Sequence, residues 1–240
     1  MTNHDQPAFY LIDGHAEIFR AYYAIRGGLN SPVTGEPTHA VFGFASMLIK
    51  LLGECRPPYI AMAIDLPGET FRDEIYADYK ANREELPEDF TPQEQRIFEL
   101  TRLFGIPILE YTGAEADDVI ATVVRSIVLD PSKCNMTIRI LSRDKDLEQL
   151  ISERVTLYDI HKDHTMDAAG LMERRGITPN NVIDLLALTG DKADNVPGVD
   201  GIGPKTAAKL LQEFGAIDGI YENIEQIKGK RRHTLEAARE

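Results

Sequence analysis

Short apolar runs that stop at aspartate recur along the chain. Ala8-Phe9-Tyr10-Leu11-Ile12 ends at Asp13-Gly14, and Tyr59 to Ile64 ends at Asp65. Thr137-Ile138-Arg139-Ile140-Leu141 leads through Ser142-Arg143 into Asp144-Lys145-Asp146. Continuous apolar runs of this length read as buried strands. Between them the spacing is helical. The stretch through Arg20-Ala21-Tyr22-Tyr23 reads as a helix or helical turn, and from Thr38 onward Val41, Phe44, Leu48, Leu51 and Leu52 share one face. Gly27-Gly28 and Asn30-Ser31-Pro32 mark a loop, and Pro57-Pro58 breaks the chain before the second strand. Further on, Val155 to Tyr158 reads as a strand and Asp167 to Arg175 as a helix, and Thr178-Pro179-Asn180-Asn181 caps a helix over Val182 to Leu188. Strands alternating with helices predict an α/β fold with a mostly parallel central sheet flanked by helices.

Such sheets gather ligands at the carboxyl ends of their strands, so Asp13, Asp65, Asp144 and Asp146 are expected along one edge. Gly113 to Ile120 adds Glu115, Asp117 and Asp118 at the start of a helix whose Ile120, Val123, Val124 and Ile127 face the core. Acids also suit a helix N-terminus, so that segment alone reads equally as a well-charged first turn. A lone strand-end aspartate is as often an N-cap as a ligand. The recurrence is what points to a metal. Like charges this close cannot all stay ionised without compensation. An oxygen-only donor set with no Cys/His constellation suits magnesium and not zinc.

With 43% hydrophobic residues in 240, the chain can bury a substantial core, as one large domain or a domain with a smaller appendage. No apolar run is long enough to span a membrane, and Met1 to Pro7 lacks the pattern of a signal peptide. Cys55 and Cys134 form no metal motif and read as reduced thiols, so a cytoplasmic location is expected. A net charge of −13 argues against a polyanionic partner. Nine of those charges, however, belong to the seven acids above with Asp191 and Asp194. Two divalent cations would offset about four charges locally, which keeps nucleic acid admissible.

Two further stretches bear on that partner. Phe71 to Pro92 is rich in charge and poor in aliphatic residues, and reads as a solvated helix and loop. Its acidic half, Glu84 to Asp89, fits that reading. Its basic half, Arg72, Lys80 and Arg83 with Tyr76 and Tyr79 interleaved, could also grip phosphates and stack a base. Near the carboxyl end, Asp191 and Asp194 stand three apart. Gly201-Ile202-Gly203-Pro204-Lys205-Thr206 then opens a helix whose exposed backbone N–H groups would hold a phosphate backbone without reading sequence. The pattern is that of a helix-hairpin-helix, against the plainer reading of a Gly-rich helix entry.

Taken in order, these motifs resemble the bacterial 5′-nuclease family (flap-endonuclease-like), most closely the N-terminal 5′–3′ exonuclease domain of DNA polymerase I. The landmarks are Leu11-Ile12-Asp13-Gly14, Thr70-Phe71-Arg72 through Tyr79-Lys80, Glu115 to Asp118, Asp144-Lys145-Asp146, Gly190-Asp191 with Asp194-Asn195, and the hairpin. The resemblance implies a PIN-like core over residues 1–180 with a helical arch at about 70–92. A helix-hairpin-helix DNA-binding subdomain over 181–240 follows. It implies metal ligation by Asp13, Asp65, Glu115, Asp117, Asp118, Asp144, Asp146, Asp191 and Asp194. Asp13, Asp65, Glu115, Asp117 and Asp144 would surround one metal, and Asp146, Asp191 and Asp194 would lie toward the other. Catalysis would fall to Asp117, Asp144, Lys80 and Arg83. DNA contacts would come from Arg20, Arg72, Tyr79, Lys80, Arg83, Gly201, Gly203, Lys205 and Thr206.

The implied activity is metal-dependent 5′–3′ exonuclease and 5′-flap endonuclease cleavage in replication and repair. Two Mg²⁺ ions (Mn²⁺ substituting) and K⁺ at the hairpin would serve it. The substrates would be DNA flaps, 5′ ends and nicks, with RNA primers also in range. The protein would be a monomer, in the longer relatives joined to a polymerase. Arg143 stands where relatives usually have glycine, and Asp200 replaces a frequent proline. Arg231 to Glu240 reads as an unfinished helix. A DNA-junction-binding module without catalysis would be expected to lack some of these carboxylates. A magnesium-dependent phosphoryl-transfer domain would not need the hairpin.

Overall fold

The computed structural model describes residues 7–25, 28–83 and 85–239; the readings placed on Met1–Gln6, Gly27, Glu84 and Glu240 lie outside them. In chain order the elements are β1 (Ala8–Asp13), α1 (Gly14–Ala24), α2 (His39–Lys50), β2 (Tyr59–Ala63), α3 (Phe71–Ile75), α4 (Phe90–Leu103), β3 (Ile108–Leu109) and α5 (Ala116–Leu129). Then come β4 (Thr137–Leu141), β5 (Val155–Asp159), β6 (His164–Met166), α6 (Ala168–Arg175), α7 (Val182–Thr189), α8 (Pro204–Phe214), α9 (Ile217–Glu222) and α10 (Lys230–Ala237). Two compact units divide the chain: Met1–Phe71 with Glu85–Thr165, and Arg72–Glu84 with Met166–Glu240.

The sheet runs in the order β3-β2-β1-β4-β5-β6. β1 lies at its centre, parallel to β2 and β4, with Ile12 beside Met62 on one side and Leu141 on the other. β2–β3 and β4–β5 are parallel as well. Leu11, Ile12, Met62, Ile138, Ile140 and Leu141 are fully buried, which is why these strands read as continuous apolar runs. On α2, Ala40, Phe44, Met47 and Leu48 form the buried face, while Leu51 and Leu52 fall in the π-helical turn Leu51–Cys55 that follows. α5 turns Ile120, Val124 and Ile127 inward.

Gly14, the first residue of α1, lies close against the end of β2. A Cβ there would sit 2.7 Å from the Ala63 carbonyl oxygen and 2.8 Å from Ile64 Cγ2. Gly14→Ala is therefore expected to destabilise the first unit by about 1–3 kcal/mol, as overpacking against backbone does. Urea-unfolding midpoints of parent and variant measure this, and equal midpoints would contradict it.

Some elements differ from the sequence expectation. β3 and β6 have two and three residues, too few to show periodicity. Among the described residues of the stretch read as a helical arch, Phe71–Ile75 is helical, turns run to Asn82, and α4 opens at Phe90. A segment with no apolar face to bury gains little from tertiary packing, so a longer helix has nothing to hold it. α10 spans Lys230–Ala237, and the Ala238 N–H closes onto the Thr234 and Leu235 carbonyls.

In the second unit, α8 packs on α6, α7 and α9. Leu185, Leu188, Ala207, Leu211 and Ile220 fill its core. Among the described residues, no helix is long and apolar enough to cross a membrane.

Candidate metal centre

β1 delivers Asp13 to the sheet edge at 5% exposure. Its carboxylate caps α1, accepting the Ala16 N–H at 3.3 Å, and accepts the Ser142 hydroxyl at 2.7 Å. Ser142 Oγ in turn accepts the Asp144 N–H at 3.0 Å, and Asp144 Oδ1 accepts the Asp146 N–H at 2.9 Å. One hydroxyl thus ties the ends of β1 and β4 together. Ser142 was not singled out from sequence, although its place two residues before Asp144 is a side-chain-to-backbone turn signal. Burial pushes the Asp13 carboxyl up to about 6, aided by the charges of Asp144 and Asp65 and opposed by its hydrogen bonds.

Asp65 follows β2 and is 44% exposed. It accepts the Ala116 N–H, at the first turn of α5, at 2.7 Å. Its own N–H donates to His15 Nδ1 at 3.0 Å, and His15 Nε2 lies 3.0 Å from Glu94 Oε1 on α4. Burial lowers the His15 pKa, yet Glu94, Asp65 and Asp13 outweigh it and leave it above the ordinary value.

The three acids at the start of α5 separate by role. Glu115 and Asp118 form a capping box, with the Glu115 N–H donating to Asp118 Oδ2 at 3.0 Å and the Glu115 carboxylate returning to the N3 amide. Both side chains thus serve the first turn of α5. Asp117 instead faces the other acids. Burial raises its carboxyl to about 8, reinforced in turn by Asp13, Asp144, Asp146 and Asp65. Asp13, Asp65, Asp117, Asp144 and Asp146 thus form one electrostatically crowded group within the first unit.

Arg20 is also in this unit, but its guanidinium is engaged: Nη1 donates to Asp159 Oδ1 at 2.9 Å, with Arg143 Nε 3.9 Å from Asp159 Oδ2. Burial raises the Asp159 pKa, but the Arg20 hydrogen bond and charge prevail and hold it below the ordinary carboxylate value. No sequence pattern pointed to Asp159 as the partner.

In the second unit, Asp191 and Asp194 sit on a loop closed by the Asp191–Val196 bridge. Tyr79 donates its hydroxyl to Asp194 Oδ2 at 3.1 Å, Arg83 Nη2 donates to Asp194 Oδ1 at 2.9 Å, and the Lys80 N–H donates to the Asp194 carbonyl at 3.0 Å. The Lys80 ammonium lies 4.9 Å from the centroid of the Tyr79 ring. Asn82 and Asn195 add bonds to the Lys192 and Asp78 carbonyls. Three residues assigned to DNA are thus bound to a residue assigned to metal. Arg72 lies on α3.

Gly201, Gly203 and Lys205 are exposed and Thr206 is half-buried. Gly201 takes φ +72, and a Cβ at either glycine would meet nothing within 4 Å, so the backbone at the start of α8 is open to a ligand.

Fold and carboxylates together define an α/β protein with an acid-lined sheet edge. Residues 8–176 match the model of the 5′-3′ exonuclease N-terminal resolvase-like domain, and residues 177–240 that of the 5′-3′ exonuclease C-terminal SAM fold. The chain is 39% identical to a 5′-3′ exonuclease of Aquifex aeolicus, over 91% of its own length and 74% of that protein. It is 44% identical to a DNA polymerase I of Rhizobium leguminosarum over 94% of its length, and spans 22% of that polymerase. The solved structure of T5 5′-exonuclease with bound zinc superposes with a TM-score of 0.77 at 23% identity, over 96% of this chain and 84% of that one, which shows the shared fold. The chain belongs to the 5′–3′ exonuclease family.

Proposed function

We propose that the chain is a divalent-metal-dependent 5′–3′ exonuclease and 5′-flap endonuclease acting on DNA near single-strand/duplex junctions. The observation that carries this reading is the gathering of the buried Asp13 and Asp117 with Asp65, Asp144 and Asp146 at one sheet edge, where burial first and the neighbouring carboxylates second raise the Asp117 and Asp13 carboxyls to about 8 and about 6. A cluster that resists ionisation on its own, built only of hard oxygen donors, fits magnesium, with manganese able to substitute. Asp13, Asp65, Asp117, Asp144 and Asp146 would hold the ion, with Glu115 and Asp118 at their flank. The second unit's Asp191 and Asp194 offer a further pair of carboxylates for a second ion. When bound, the ions would lower the pKa of an attacking water and neutralise charge at the scissile phosphate.

The chain's own residues do the rest. Ser142 and the α1 N-terminus hold Asp13 in place. Lys80, Arg83 and Tyr79 are assigned to substrate phosphates and bases; the bonds to Asp194 engage the Tyr79 hydroxyl and one Arg83 nitrogen, not the tyrosine ring face or the other guanidinium N–H groups that this role would use. The open turn at Gly201 to Thr206 would hold duplex phosphates, with a potassium ion between. Arg20 and Arg72 are assigned to phosphates on resemblance. Identity with DNA polymerase I supports a link to a polymerase domain in a longer protein.

The test is cleavage of a 5′-labelled flap DNA with magnesium and with chelator. Magnesium-dependent release of a product cut near the junction is the expected result. Intact DNA in both conditions, with the full-length relative active in parallel, would reject the proposal for this chain.

A further inference from the structure

His15 lies two residues beyond Asp13 on α1, between the rings of Phe19 and Phe98, whose centroids are 6.4 and 6.2 Å from its own. Both its nitrogens are used. In the neutral imidazole, Nδ1 accepts the Asp65 N–H at 3.0 Å and so carries no proton, which places the proton on Nε2, facing Glu94 Oε1 at 3.0 Å. This tautomer is assigned from the partners. Nδ1 also stands 3.3 Å from Asp65 Oδ2. Asp65 Oδ1 then accepts the Ala116 N–H at 2.7 Å. A single hydrogen-bonded line thus runs from Glu94 on α4, through His15 on α1, to the end of β2 and the first turn of α5.

We infer that His15, oriented by Glu94, is a positioning residue that fixes the main chain at Asp65 and, through it, the start of α5 that carries Asp117. The inference rests on the metal reading above. It assigns no ligand role to His15, whose Nδ1 is already taken. Outer partners of this kind hold a donor set in register without touching the ion. Apolar packing alone would need neither ring nitrogen.

The test is Mn²⁺ binding by the metal-free chain, read from the loss of the free-ion paramagnetic resonance signal. His15→Ala and Glu94→Ala are each expected to weaken binding about tenfold or more, the scale found for outer-shell partners. Glu94→Gln keeps an amide oxygen that accepts from Nε2–H, and is expected to stay within about twofold of the parent. Circular dichroism checks folding, and if His15→Ala does not fold, the Glu94 pair decides. Unchanged Mn²⁺ affinity in the folded alanine variants overturns the inference. So does a loss in Glu94→Gln equal to that in Glu94→Ala, since charge and not positioning would then be at work. A parent chain that takes up no Mn²⁺ removes the metal reading itself, before any variant is compared.

Discussion

Asp117→Asn is expected to lower flap cleavage by about a hundredfold to a thousandfold, the scale on which loss of one preorganised electrostatic contact acts. Asn keeps the shape and removes the charge. Asp117 is the acid on which the electrostatics converge: burial, Asp13, Asp144, Asp146 and Asp65 all push its carboxyl upward. Its neighbours Glu115 and Asp118 are committed to capping α5, so the helix does not depend on Asp117 to start. The variant should therefore fold and bind flap DNA while failing to cut. Single-turnover cleavage and a binding isotherm on the same DNA check this. A variant that cuts within about tenfold of the parent would remove Asp117 from the catalytic set.

The second large effect concerns the metal-free protein. Burial, reinforced by the neighbouring carboxylates, raises the Asp117 carboxyl to about 8 and that of Asp13 to about 6, both above the ordinary 3.8. A carboxyl whose pKa is raised by folding holds its proton more tightly in the folded state. Its favourable contribution is complete below the ordinary value and is lost as pH rises through the folded values. Metal-free protein is thus expected to lose a few kcal/mol of stability between about pH 4 and about pH 8, superposed on whatever other groups do. Asp117→Asn should flatten most of that slope and leave the metal-free variant more stable than the parent near pH 8. Magnesium should flatten the slope in the parent by compensating the same charges. Urea midpoints at several pH values, with chelator and with magnesium, measure all three. A parent whose chelated stability is level or rises across this range would show that the carboxylates are not crowded as the geometry has them.

The same geometry separates residues that adjoin in sequence. Asp117 and Asp118 are consecutive acids, and the sequence reading gives both the same role as metal ligands. The α5 stripe of Ile120, Val124 and Ile127 fixes the helix rotation, so Asp117 turns to the acids of β1 and β4 while Asp118 closes the capping box. The basic stretch before α4 makes a parallel case. Arg83 and Tyr79 read as cations and rings for nucleic acid, yet in the folded chain they hold Asp194.

By itself the sequence determined the central strands, because the carboxyl-terminal ends of β1, β2 and β4 are buried and so leave apolar residues just ahead of the aspartates. It also determined which acids end those strands, since an aspartate after such a run has only the sheet edge to occupy. The open glycine turn before α8 was legible for a similar local reason: Gly201 permits the positive φ of the turn, and Pro204 fixes φ at the first helical position. Only the tertiary structure decided the partners. The Glu94–His15 and His15–Asp65 contacts join residues 79 and 50 positions apart, and the Ser142–Asp13 bond spans 129. No local pattern encodes such pairs, because they arise only when the buried strands align and bring distant polar groups to one edge. Burial there makes each unpaired group costly, and that cost selects the bonds the structure shows.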